Sequence, residues 1–211
     1  DLSERMLARS PDGWLARWRG ARGRCCAASH ALPLARRSVD LLHANLCELS
    51  PPGADAVISE FARVTTPGAL IALSTPGPDT LAELREAWAD VDDADHVHAQ
   101  PDMHDLGDAL VRAGFEGVVM DTERLTVTYR DPRALLDELR ACGWTNARPD
   151  RRRSITGRSR WRRMLARYAD RTRDGTVTAT LEVVYAHAWR RDEESVPVAF
   201  DGAGSGPPSR R

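Results

Sequence analysis

Four stretches of the chain carry residue types suited to chemistry. Ser74-Thr75-Pro76-Gly77-Pro78-Asp79-Thr80-Leu81 joins hydroxyls, a Pro-Gly-Pro turn and a carboxylate, the composition of a segment that ends one element and caps the next. Asp102-Met103-His104-Asp105 sets an imidazole among carboxylates, which suits either a ligand contact or the cap of a following helix. Asp92, Asp93, Asp95, His96 and His98 imitate a metal cluster but lack helical i, i+4 histidine spacing, so they read as a polar loop and no metal is expected. Arginines crowd between Arg148 and Arg173, an asymmetry that suits an acidic partner. No Ser, Cys or Thr is paired with a base in a recognisable pattern, so no catalytic nucleophile is assigned.

The bulk numbers bound what these residues can belong to. With 211 residues and 42% hydrophobic content, the chain can bury one ordinary core. No apolar run approaches the roughly 20 residues of a membrane span, and no signal peptide opens the sequence, so a cytoplasmic protein is expected. The four cysteines, Cys25, Cys26, Cys47 and Cys142, include no Cys-x-x-Cys pair and read as reduced, mostly buried thiols. The formal net charge is −1. The sequence opens at Asp1 without an initiator methionine, directly on a helix-like segment, and an upstream portion is expected.

The elements that must position these residues follow from periodicity. Ser3 caps a short helix to Ser10, followed by a Gly, Trp and Arg-rich loop. Cys25 to Ala28, Val39 to Asn45 and Ala69 to Ser74 read as short buried strands. Between the last two, Ala54 to Val64 places Ala56, Val57, Phe61 and Val64 on one helical face, and Pro67-Gly68 turns the chain. Helices are expected over Asp79 to Ala89 and Asp105 to Ala113, the latter stopped by Gly114. Val118 to Tyr129 and Val177 to Trp189 are rich in Val, Thr and Tyr and are expected to pair antiparallel. Pro132 to Cys142 and Arg158 to Arg173 form helices between them, the second with Trp161, Leu165 and Tyr168 on one side. Residues 131–173 are expected to act as a helical lid or docking insertion within a domain spanning residues 1–191. Residues 192–211 are expected to be a disordered tail. Strands alternating with helices imply an α/β sandwich with a mainly parallel sheet, whose ligands bind beyond the carboxyl ends of the strands. That places Asp1, Ala28 to Leu34, Asn45 to Ser50 and Thr75 to Thr80 at the site.

Several of these patterns resemble a known family. Asp1-Leu2-Ser3 with Met6-Leu7, then Leu32-Pro33-Leu34, Ser38-Val39-Asp40 and Pro67-Gly68-Ala69-Leu70, resemble the class I methyltransferase pattern. Ser74 to Arg85, Asp102 to Leu110, Leu125 to Asp131, Asn146 to Gly157 with Arg151-Arg152-Arg153, and Ala179 to Trp189 resemble the biotin-pathway methyltransferases that esterify the free carboxyl of malonyl-acyl carrier protein. The similarity runs over nearly everything from Asp1 to Trp189.

The resemblance implies a Rossmann-like three-layer sandwich with an antiparallel C-terminal strand pair, its first strands missing upstream together with the Gly-rich cofactor loop. It implies S-adenosylmethionine as cofactor, with Asp1 holding the ribose hydroxyls, Leu2 beside it, and Asn45 at the next strand end. It implies malonyl-acyl carrier protein as partner, contacted by His104, Tyr129, Arg153 and Thr156. A monomer that binds neither nucleic acid nor membrane is expected. Methyl transfer to a carboxylate needs no general base, because a carboxyl pKa of about 4 leaves the nucleophile ionised. Catalysis then rests on alignment and exclusion of water.

Two positions depart from the family pattern: Ala28 stands where an acidic residue would read the adenine amino group, and Leu49-Ser50 where a Gln-Trp or His-Trp pair is usual. They support an alternative, an inactive relative that binds a carrier protein. Another class I enzyme, such as the arginine-hydroxylating assembly factor of respiratory complex I, is a further alternative. For the Arg-rich helix the readings are carrier docking, a solvated basic face, or nucleic-acid binding.

Overall fold

The computed structural model describes residues 3–9, 23–49, 53–146, 151–170 and 176–192. Helix α1 (Glu4–Arg9) is capped by Ser3, whose Oγ accepts from the Met6 amide at 3.4 Å. Strand β1 (Val39–Ala44) leads to α2 (Ala54–Val64) and then β2 (Thr65–Pro76). Helices α3 (Ala82–Ala89) and α4 (Met103–Arg112) precede the long strand β3 (Phe115–Tyr129). Helices α5 (Pro132–Ala141) and α6 (Arg158–Ala169) separate it from β4 (Val177–Arg190).

The strands form one sheet in the order β1-β2-β4-β3. Only β1 and β2 run parallel, with Leu41 opposite Leu70 and Ala44 opposite Leu73; β4 is antiparallel to both its neighbours. The expected pairing of the two C-terminal strands is present, from Phe115 opposite Arg190 to Tyr129 opposite Val177.

Side-chain alternation along β4 shows how helices cover the sheet. Val184, Ala186 and Ala188 pack into a first core with Val57, Phe61 and Leu106 of α2 and α4. Val177 and Ala179 belong to a second core with Leu84, Leu135, Met164 and Tyr168 of α3, α5 and α6. The change of parity puts the two cores on opposite faces, one towards each end of the strand. Tyr185, His187 and Trp189, on the second face, lie beyond the reach of the second core and are exposed.

Local chemistry sets the boundaries. Asp102 caps α4 by accepting from the Asp105 amide at 2.8 Å, and Gly114, at φ 85°, ends it one residue past the C-cap, as its position predicts. Asp131 caps α5 through the amides of Arg133 and Ala134, with Pro132 in the first turn. Helix α3 begins at Ala82 rather than Asp79, because the preceding residues are bound to β4. Gly77 N donates to Glu182 O at 2.9 Å, and Asp79 N to the Glu182 carboxylate at 2.7 Å. Thr80 Oγ1 donates to Glu182 O at 2.9 Å, and Leu81 N to Thr180 O at 2.7 Å. A Cβ on Gly77 would lie 2.6 Å from Glu182 Oε2, so a side chain there would displace this junction.

Three expectations need correction. Cys25 to Ala28 is not a buried strand: Cys25 and Cys26 are exposed, and the only pairing nearby is a bridge between Ala28 and Ala31. Four residues without a neighbouring strand among the described residues leave their backbone to water. The thiols are accordingly not mostly buried; Cys142 is exposed too, and Cys47 is half-buried. On α2 the buried stripe is Val57, Ile58, Phe61, Ala62 and Val64, while Ala56 faces solvent. Residues 193–211, most of the expected tail, lie outside the described residues, as do residues 171–173; the helix expected to reach Arg173 ends at Ala169 with Asp170 as its C-cap.

The Leu32-Pro33-Leu34 motif takes a structural role. Glu60 on α2 accepts from the Leu32 amide at 2.6 Å, and Arg63 donates to the carbonyls of Leu32 and Leu34, each at 2.9 Å. Arg63 holds the Glu60 carboxyl below its usual range through their shared hydrogen bonds.

Candidate functional site

Beyond the carboxyl ends of β1 and β2, where an α/β sheet offers its binding crevice, the chain forms a partly open cavity of about 70 Å³. Its floor is Pro76, the last residue of β2, with Leu81 and Leu84 from the start of α3. One wall is the loop containing His96, His98 and Gln100; the other is Leu139 of α5 with Trp144 to Asn146 beyond it. Glu48, in the segment leaving β1, completes the lining.

Each wall is held by named contacts. The Glu48 carboxylate hydrogen-bonds Nδ1 of His98, a nearly buried ring 50 residues away in sequence. Asn146 Nδ2 donates to Asp95 O at 2.7 Å and joins the two walls. The His96 ring stacks on Trp88, 3.6 Å between centroids and 12° from parallel, and its Nε2 meets Asp92 Oδ1 at 2.7 Å. Arg152 reaches the same carboxylate, Nη1 to Oδ2 at 3.0 Å, and ties the loop before α6 to this wall. Gln100 Oε1 is the one buried side-chain polar atom among the described residues without a hydrogen-bond partner.

Burial pushes the Asp92 carboxyl up, but the bonds from His96 and the Ala94 amide, with the charge of Arg152, outweigh it and hold the group below its ordinary value. A depressed carboxyl contributes stability that is present above the unfolded pKa of about 4 and is lost as pH falls through the folded value. Asp92→Asn is therefore expected to cost about 1–3 kcal/mol at pH 7 and to flatten the loss of stability below about pH 4. Urea unfolding of both proteins from pH 7 down to pH 3 measures this. Parallel pH profiles would show that Asp92 carries no linkage.

Glu48, Pro76 and Thr80 of this lining fall in the strand-end segments 45–50 and 75–80 expected at the site, whereas none of the residues that the resemblance implies for cofactor or substrate lines it. Asp1 and Leu2 lie outside the described residues. Asn45 borders a different, open hollow of about 440 Å³ on the sheet, also lined by His43, Tyr185 and His187, and its Oδ1 accepts from Ser74 Oγ at 2.9 Å. His104 is exposed in the first turn of α4. Tyr129 packs on the second core, its hydroxyl pKa raised by burial and by Glu138. Arg153 is exposed and Thr156 half-buried in the segment before α6.

The cavity residues that sequence reading missed include Gln100 and Trp144. The loop with His96 and His98 was weighed only as a metal site; among the described residues no group of three or more His, Cys, Asp or Glu is placed to hold a metal ion.

The sheet order, the parallel pair followed by two antiparallel pairings, and the cavity at the carboxyl strand ends define a class I methyltransferase fold. Solved structures agree at the level of fold. The YcgJ protein from Bacillus subtilis matches 91% of this chain and 81% of its own, at 12% identity and TM-score 0.56. A Bacillus halodurans protein described as a methyltransferase matches the same shares at 14% identity and TM-score 0.54. No family model matches the chain.

Relatives by sequence are closer. The malonyl-[acyl-carrier protein] O-methyltransferase of Laribacter hongkongensis is 44% identical over 90% of this chain and 66% of its own length. That of Gallionella capsiferriformans is 42% identical over 90% of this chain and 67% of its own. The chain belongs to the malonyl-[acyl-carrier protein] O-methyltransferase family, and it spans about two thirds of the length of these curated relatives.

Proposed function

We propose that the chain is the acceptor-binding part of an S-adenosylmethionine-dependent methyltransferase that esterifies the free carboxylate of malonyl-acyl carrier protein, the ester that primes biotin synthesis. The observation that carries this reading is the partly open cavity at the carboxyl ends of β1 and β2 in a chain of this family. The cavity has room for about five water-sized groups.

Of the residues expected to hold the cofactor, only Asn45 is described, and its amide oxygen is engaged by Ser74. Glu48, the carboxylate nearest the end of β1, is engaged by His98. The described residues thus do not make up a cofactor site by themselves. The role left to them is to hold the acceptor, orient its carboxylate and exclude water.

The carrier reading rests on α6. Arg158, Arg162 and Arg163 are exposed on this helix, away from buried Met164 and Tyr168, and suit the acidic surface of a carrier protein. Arg153 and Thr156, just before the helix, carry a guanidinium and a hydroxyl whose chemistry suits the phosphate of the carrier's arm. Residues 131–173 act in this reading as the docking insertion of one domain. We further propose that the protein works as a monomer in the cytoplasm; among the described residues no helix is long and apolar enough to cross a membrane.

Calorimetric titration with malonyl-acyl carrier protein, followed by transfer of a labelled methyl group from S-adenosylmethionine, tests the proposal. Binding together with a base-labile labelled ester is expected. Binding without label would favour the alternative of a carrier-binding relative, to which the departures at Ala28 and Leu49 point. Neither binding nor label would remove the reading.

A further inference from the structure

The strand register sets rows of side chains across the sheet on the face that turns away from the first core. Leu41, Leu70 and Trp189 stand in one row, and His43, Ala72 and His187 in the next. Their neighbours along the strands, such as Ile71 and Ala188, are buried in the first core, so alternation fixes the side on which the rows lie. Helices α3, α5 and α6 cover this face only at its other end, around Val177 and Ala179.

What remains is apolar and open. Leu41 is 58% exposed, Val119 50% and Trp189 43%, on three different strands of one face. Single exposed apolar side chains are ordinary, whereas a shared apolar surface marks a place where something packs. The open hollow of about 440 Å³ lies on this surface. The methyl group of Ala72 is its floor, and His43 and His187 stand to either side. This is the shape of a hole for one large side chain brought by another element.

Two observations define that element. A sheet of this class is covered by helices on both faces, and an added strand would pair at an edge and leave the face bare. The two curated relatives have about a third of their length outside the match to this chain. The β3 side of the face carries charge as well, with Asp121 exposed and Glu123 accepting from the Tyr185 hydroxyl at 3.1 Å.

We infer that this face seats an amphipathic helix from that remaining third, with one large apolar side chain in the hollow over Ala72 and a basic flank towards Asp121 and Glu123. The inference goes beyond the methyl-transfer reading and does not rest on it, since it concerns what completes the fold.

The test uses the part of the Laribacter hongkongensis relative that lies outside the match, made as a separate polypeptide and refolded together with this chain. Sedimentation across a dilution series gives the dissociation constant of the complex. Ala72→Glu, which fills the hollow with a charge, is expected to weaken it about 10- to 100-fold. Val119→Ser is expected to weaken it about 3- to 10-fold, and Asp121→Lys to weaken it chiefly at low salt. Val111→Ser removes an equally exposed apolar side chain, 53%, from α4 and should change nothing. Circular dichroism of each variant alone checks the fold, and Val119→Ser carries the comparison if Ala72→Glu unfolds.

Absence of a complex overturns the inference, and so does equal affinity for all four variants. A complex that forms through an added strand at the β1 edge would be indifferent to Ala72 and Val119 and would overturn it in the same way. Self-association of this chain alone, abolished by Ala72→Glu, would give the face to a second copy and also overturn it.

Discussion

Phe115→Ala is expected to lower the folding free energy by about 3–5 kcal/mol, a large part of the roughly 5–15 kcal/mol that holds a domain folded. Phe115 is fully buried at the point where α4 hands the chain to β3, and it packs in the first core with Leu106, Leu110 and Ala188. The left-handed turn at Gly114 just before it is fixed by Arg190, whose Nη1 donates to Gly114 O at 2.6 Å while its guanidinium lies over the Phe115 ring, 5.9 Å from the centroid. Removing the ring therefore leaves a cavity and also removes the surface on which Arg190 rests. Urea unfolding should show a much lower midpoint with an unchanged slope. A cost below about 1 kcal/mol would mean that this junction adapts to the lost volume.

The second large effect is electrostatic. Arg162→Glu with Arg163→Glu is expected to weaken binding of an acidic carrier protein about 10- to 100-fold at low salt, mostly through slower association. Both side chains are exposed and neither forms an ion pair within the described residues, whereas Arg167 on the same helix lies 3.6 Å from Asp90. Reversing the first two therefore changes the surface field without breaking an internal bridge. The difference between variant and unaltered chain should shrink as salt shortens the screening length to about 8 Å near 0.15 M. Circular dichroism checks the helix, whose packing depends on Met164 and Tyr168. An unchanged affinity at low salt would place docking elsewhere and leave this face as a solvated basic surface.

Much of the architecture was legible because its signals are local. The caps at Asp102 and Asp131, the stop at Gly114 and the Val, Thr and Tyr content of β3 and β4 act over a few residues, and the sequence carries them openly. Cys25 to Ala28 was misread for a physical reason. Its composition suits a strand, but a strand is completed by hydrogen bonds from a neighbour, and composition does not supply one. The start of α3 was displaced by Glu182, roughly a hundred residues downstream, which no local pattern announces.

The site was less legible than the fold. Asp102 reads equally well as ligand contact or cap from sequence, and in the structure it caps. The cavity is made by pairs distant in the chain, Glu48 with His98 and Asp92 with Arg152, so its members share no motif. Gln100 carries no signal at all: only burial without a partner distinguishes it, and burial is a property of the folded chain.

The floor and the walls of the cavity are built differently. Gly77, Asp79, Thr80 and Leu81 are bound to the backbone and carboxylate of β4, and Glu83 adds two bonds to Thr180, at 3.0 Å to its amide and 2.6 Å to its hydroxyl. The walls are loops joined mainly by side chains, through Asn146 on Asp95 and Arg152 on Asp92. Inheritance can therefore treat the two separately. Substitutions in the walls can reshape what the cavity admits while the sheet and its junction stay intact, and one scaffold can pass between acceptors by exchanging two short segments.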